Sequence, residues 1–206
     1  LFNIVIDKGN IFDIDLSNTT IQLKRNNNQT EVTSLLSTKG PFDFDQVQKI
    51  FSLFKVDVKN FKNIHGKADL KTNINFKVKK NFTTKDLIYS IEGKIPYAEI
   101  FPLKKRIIKE YLPDFNDEII IKDSKIKLIK KNLVNKIELN GFLKVKENFD
   151  TFDIKQIYDN NKKTFNIISN LDLTSSKVKI SKLNYTKDSG KKSDLKIDLD
   201  FMLDKY

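Results

Sequence analysis

The sequence predicts a mainly β protein, an antiparallel sheet interrupted by two short amphipathic helices. Three observations carry this. Apolar and polar residues alternate over several long runs, the two-residue period of a strand with one apolar and one wet face. Clusters of Gly, Asn, Asp and Ser punctuate the runs as turns do. Only two segments, each beside a proline, change to the i, i+3, i+4 spacing of a helix.

The first forty residues read as short strands joined by polar turns: "FNIVI", a turn at "DKGN", "IFDIDL", a turn at "SNT", "TIQLK", a loop at "RNNNQ", then "TEVTSLLS". After "KGP", Val47, Ile50, Phe51 and Phe54 take helical spacing with Asp43 or Asp45 available as cap, which predicts a helix from about Asp45 to Lys55. In "IHGKADLKTNINFKVKKN", residues 64–81, Ala68, Leu70, Thr72, Ile74, Phe76 and Val78 alternate with Lys67, Asp69, Lys71, Asn73, Asn75 and Lys77. A strand of some 15 residues would reach on the order of 50 Å, where about 17 to 20 Å is usual. The turn at "KKNFTTKD" leads to a second such run, in which Leu87, Tyr89, Ile91, Gly93, Ile95 and Tyr97 share a face, and the two runs form an antiparallel hairpin.

A second helix is expected between Pro102 and Pro113, with Leu103, Ile107, Ile108, Tyr111 and Leu112 on one side and Lys104, Lys105, Arg106 and Lys109 on the other. From Glu118 the pattern returns to strand in "EIIIKDSKIKLIKKN", "KIELNGFLKVKEN", "FNIISNLDLTSSKVKISKLNY" and "DLKIDLDFMLDKY". Ile137, Leu139, Gly141, Leu143 and Val145 alternate in the second of these, and Leu195, Ile197, Leu199, Phe201 and Leu203 in the last. With no internal repeat and no flexible linker, residues 1–206 read as a single β-rich segment. The start at Leu1 reads as a piece of a longer protein, with room upstream for a signal or a membrane anchor. No apolar run here approaches the roughly 18 residues of a spanning helix.

Composition narrows the function. The absence of Cys excludes a disulfide framework, a thiolate metal site and a Cys nucleophile. The net charge is +11, yet Arg occurs only at Arg25 and Arg106, so the charge is lysine, a hydrated point charge and not the guanidinium fork that reads bases and phosphates. The lysines of the long strands also lie opposite the apolar residues, which argues against a nucleic-acid stacking platform. His65 is the single histidine, on a polar face, and a lone imidazole without Cys or clustered carboxylates is a poor metal ligand. Asp13, Asp15, Asp43, Asp45, Asp114, Asp117 and Glu118 lie near turns or helix starts, where capping explains them. No nucleophile elbow, phosphate loop or dinucleotide fingerprint is present. The expectation is no enzyme, no metal, no cofactor and no nucleic-acid partner.

The order of features from "GPFDFDQVQKIFSLF" through the "GKAD" strand, the Lys85, Asp86, Leu87 and Gly93, Lys94 hairpin, the glycine-marked strand at Gly141 and the "ENF" at Glu147 to Phe149 resembles the central region of large AsmA-like proteins, the AsmA, TamB and YhdP group. The resemblance spans roughly residues 40–150. It implies a long curved antiparallel sheet of the repeating β-groove type, with apolar side chains lining the groove. It also implies a periplasmic protein anchored to the inner membrane by an upstream segment, with phospholipid acyl chains and the inner and outer membranes, or their proteins, as partners. On this reading Ala68, Leu70, Ile74, Phe76, Val78, Leu87, Tyr89, Ile91, Leu139, Leu143 and Val145 form the groove floor, and Gly66, Gly93 and Gly141 allow curvature or bulges. The same face reads equally as an ordinary core closed by the two helices, in which case the protein is a structural or assembly scaffold of the envelope.

Overall fold

Long alternating runs satisfy their backbone hydrogen bonds only against each other, and the chain does this by folding back on itself repeatedly. The structure, a computed structural model, describes residues 1–11, 14–26, 28–53, 58 and 60–202. Its elements are β1 (Phe2–Ile11), β2 (Ile14–Asn26), β3 (Gln29–Phe42), α1 (Phe44–Leu53), β4 (Phe61–Lys79), β5 (Thr84–Pro102), α2 (Lys105–Tyr111), β6 (Ile119–Lys131), β7 (Val134–Lys144), β8 (Phe149–Asp159), β9 (Thr164–Asp172), β10 (Val178–Ile180), a 3-10 turn (Ser181–Leu183), β11 (Tyr185–Lys187) and β12 (Asp194–Met202). Ten strands form one antiparallel sheet in the order β1-β2-β3-β4-β5-β6-β7-β8-β9-β12, and β10 pairs with β11 as a separate hairpin. Among the described residues β1 and β12 are unpaired edges, so the sheet is not closed into a barrel.

The mainly β architecture with two short helices is as expected, with differences of detail. The supposed turns at "DKGN" and "SNT" lie inside β1 and β2. Asn18, with φ 46°, stands at the register shift between Ser17 and Thr20, so a residue suited to a turn serves as a bulge. The stretch "FDTFDIKQIYD" forms β8, a strand the sequence pattern did not single out. The hairpin of β4 and β5 is confirmed, each strand 19 residues long, and exceeds the expected length. α1 starts where Asp43 caps it: the Asp43 carboxylate accepts from the Gln46 amide at 2.9 Å while the Gln46 side chain accepts from the Asp43 amide at 2.9 Å, a reciprocal capping box. Phe54, Lys55, Asp13 and Leu203, and the side chains of Ile50 and Phe51, lie outside the described residues.

A further correction concerns Tyr97. The register of β4 and β5 shifts between Lys67 and Asp69, so β5 carries an extra residue near Pro96. Tyr97 therefore pairs with Lys67 and Lys122 on the polar face, and not with Tyr89 and Ile91 on the apolar one. Proline, which cannot donate to a ladder, marks the bulge that a strict two-residue count misses.

The two ends of the sheet differ. At one end the connections are short, at residues 27–28, 80–83, 132–133 and 160–163. At the other, residues 43–60 carry α1, 103–118 carry α2, and 173–193 carry β10, the 3-10 turn and β11. The buried cluster of Ala98, Ile121 and Phe152 belongs to this second, capped end, with Phe42, Ile95, Ile100, Ile119 and Leu171 packed against it. Among the described residues no second layer covers the sheet as a whole. The accessible surface is 14021 Å², against roughly 9,900 Å² for a compact monomer of this mass.

Candidate functional site

Residues directly opposite on antiparallel strands share a face, so the registers trace continuous rows across the sheet. One row runs Leu16, Thr38, Leu70, Gly93, Ile126, Leu139, Ile154, Ser169, Ile197. The next, toward the short-turn end, runs Leu36, Thr72, Ile91, Leu128, Ile137, Gln156, Ile167, Leu199. The row beyond it, Ser34, Ile74, Tyr89, Lys130, Asn135, Tyr158, Phe165, Phe201, is more polar in its middle. It ends in an aromatic ladder, with Tyr158 stacked on Phe165 at 4.3 Å between ring centroids and Phe165 on Phe201 at 5.2 Å.

The rows put Ala68, Leu70, Ile74, Phe76 and Val78 of β4, Leu87, Tyr89 and Ile91 of β5, and Leu139 and Leu143 of β7 on this one face. Tyr89 and Ile91 are buried, each 7% exposed, and the remaining eight are half-buried. Burial pushes the Tyr89 hydroxyl above its ordinary value. Leu139 and Leu143 also pack against the buried cluster of the capped end. Val145 lies one residue past β7, buried, where its carbonyl accepts from the Asn116 amide at 3.1 Å. It is thus under the 112–118 loop and off the strand. The sequence reading left out Ile126 and Leu128 of β6, which bridge β5 to β7, and Phe152, Ile154, Ile167 and Leu171 of β8 and β9. For β6 the alternation Lys125, Ile126, Lys127, Leu128 was available as a signal. In β8 the inward positions include Asp150 and Gln156, which blurs it.

The opposite face is charged and pairs its charges. Lys77 meets Asp86 at 2.9 Å, Lys136 meets Glu138 at 2.6 Å, and Lys127 meets Glu92 at 3.7 Å. The Lys77 ammonium holds the Asp86 carboxyl below its usual range, and Lys136 does the same for Glu138. Near the capped end His65 Nε2 lies 2.9 Å from Glu99 and its ring stacks on Phe101. Tyr97 donates its hydroxyl to the same Glu99, and that bond pushes its pKa up to about 12.

Two glycines set how closely the strands approach. A Cβ on Gly141 would meet the Ser124 Oγ at 2.1 Å and its Cα at 2.6 Å, opposite the β6 bulge between Lys122 and Lys125. One on Gly93 would meet the Asp69 carbonyl oxygen at 2.1 Å. Both fill the space a side chain would need with backbone, and neither presents a surface to a ligand.

The excursion of residues 173–193 is fastened from below. Asp150, buried on the apolar face opposite Leu143, accepts from the Ser175 amide and hydroxyl. The buried Lys187 ammonium donates to the carbonyls of Leu173 at 2.6 Å, Lys191 at 3.0 Å and Thr174 at 3.3 Å. Among the described residues no group of His, Asp and Glu is arranged to hold a metal ion, and no helix is long and apolar enough to cross a membrane. No protein-family model, no curated protein and no solved structure matches the chain.

Proposed function

We propose that this chain is a non-catalytic segment of a periplasmic, bridge-like lipid transport protein, anchored to the inner membrane by a segment outside this sequence. Its apolar sheet face holds phospholipid acyl chains for transfer between inner and outer membranes. The observation that carries the reading is the apolar row from Leu70 through Ile126, Leu139 and Ile154, continued by Ile91, Leu128, Ile137 and Ile167, on a sheet that, among the described residues, has no second layer over it beyond the capped end. A face of this kind offers what acyl chains need and little else. Each methylene withdrawn from water gains about 0.8 kcal/mol, so a dozen sum to roughly 10 kcal/mol before the costs of binding. The periplasmic setting and the two membranes come from the AsmA-like pattern of residues 40–150.

Native mass spectrometry and organic extraction of the purified chain test this. Phospholipid is expected in the wild type and is expected to be lost in Leu70→Asn and Phe76→Asn with folding retained by circular dichroism. A lipid-free wild type, or variants that unfold globally, would favour the envelope scaffold, in which protein fills the same face.

A further inference from the structure

An amphipathic helix ordinarily turns its apolar side inward. By contrast, Ile107 and Tyr111 of α2, at four-residue spacing, are 54% and 48% exposed, and Leu103, just ahead of the helix, is 55% exposed. α2 lies against β10, and the 3-10 turn and strand that follow β10 expose Leu183 at 72% and Tyr185 at 46%. Apolar side chains this exposed on two adjoining pieces are more than the scattered single residues of an ordinary surface.

Their surroundings are basic. Residues 173–193 hold six lysines against one aspartate, a net +5 within a chain of net +11. Some of these charges are committed: Lys105 and Lys109 to Asp117 at 3.2 and 2.7 Å, Lys177 to Asp188 at 3.9 Å, and Lys187 to backbone carbonyls. Asp114 is held by Lys146. Among the described residues Lys104, Arg106, Lys179 and Lys182 have no ion-pair partner, and all four side chains are exposed. An exposed apolar stripe edged by unpaired cations is the composition of a surface that lies in the headgroup layer of an anionic bilayer, apolar side chains dipping in while the cations meet phosphate.

We infer that α2 and the 181–185 turn together form a docking surface for an anionic phospholipid bilayer at the capped end of the sheet. Docking does not require that the sheet face carry lipid, so vesicle binding and lipid extraction can fail separately. The test is sedimentation of the intact chain with phosphatidylcholine vesicles, with and without phosphatidylglycerol. Binding is expected only with phosphatidylglycerol and weakens as salt rises. Ile107→Ser with Leu183→Ser, and separately Lys179→Glu with Lys182→Glu, each lower the affinity by about tenfold or more. Lys94→Glu with Lys125→Glu, on the polar sheet face, changes it less.

The chain has no Trp, so Leu183→Trp gives a single reporter whose emission shifts to the blue on phosphatidylglycerol vesicles. Failure to bind those vesicles overturns the inference. So does equal loss from the two pairs of lysine substitutions, which would mean bulk charge alone, and so does an unshifted tryptophan emission in the bound state of the Leu183→Trp variant. Retained vesicle binding in the Ile107→Ser, Leu183→Ser variant, or preference for an acidic protein over the vesicles, overturns it as well.

Discussion

The two ends of the sheet use the same strands differently. At the capped end Ala98, Ile121 and Phe152 are 3%, 6% and 5% exposed, and loops and a hairpin are fastened over the strand ends by Asp150 and Lys187. At the short-turn end Phe82, Leu133 and Val134 are exposed, and the strands stop at turns of a few residues. The difference teaches that a sheet of this width need not be covered to be held. A small plug of conventional core sits at one end, and beyond it most of the apolar face, Tyr89 and Ile91 excepted, is only half-buried.

That contrast can be broken most directly by truncating one side chain from each region. Phe152→Ala should lower stability by about 3–5 kcal/mol in urea unfolding, whereas Phe76→Ala, half-buried on the uncovered part, should cost about 1–2 kcal/mol. Equal costs would mean that the whole face is core. Next in size, Gly141→Ala drives a Cβ into the Ser124 backbone and should cost about 1–3 kcal/mol. Adding Ser124→Gly should restore little, because the backbone of residue 124 would still crowd the new methyl group, its α-carbon only 2.6 Å away.

Lys187→Met removes the ammonium from three carbonyls, of which Leu173 and Thr174 keep the Ser176 and Gly190 amides as donors, and should cost about 1–3 kcal/mol. Its mark would be local: limited proteolysis should cut within 173–193 while the sheet stays intact, and cleavage spread evenly over the chain would contradict the fastening.

The smallest effects are on the polar face, which is solvent-screened. The Tyr97 hydroxyl is raised from 10.0 to about 12, so its bond to Glu99 contributes fully below pH 10 and is lost as pH rises toward 12. Tyr97→Phe should remove the tyrosine that ionises near pH 12 from an alkaline ultraviolet titration. Glu138 behaves in the opposite sense: its carboxyl is depressed below 4.5, so its contribution is present above pH 4.5 and lost as pH falls further.

Much of the strand content was legible because a two-residue period is a direct imprint of one face packing and the other meeting water. β4, β7 and β12 follow it almost without fault. What escaped is what breaks the period. Asn18, Asp86 and Asp123, at φ of 46°, 54° and 46°, adopt the left-handed backbone at bulges, and each bulge reverses the facing of every residue beyond it, as Tyr97 illustrates. β8 was missed because Asp150 faces inward to hold Ser175, a tertiary duty that a local pattern does not encode. The spacing of Ile107 and Tyr111 was legible as helical, but spacing alone does not say whether apolar side chains face a core or the solvent, and Leu103 falls ahead of the helix.

The strand order has a consequence for how the molecule comes apart. Apart from the step from β9 to β12, every strand of the sheet bonds to the strand just before it in sequence, and among the described residues no closing pair ties the first to the last. Cooperativity is therefore short-ranged, a sum of neighbour terms as in repeat proteins. The edges should fray first, and amide exchange should be slowest in the central strands β5 and β6. Assembly should zip hairpin by hairpin, with the long loop closures at 43–60, 103–118 and 173–193 as its slower steps.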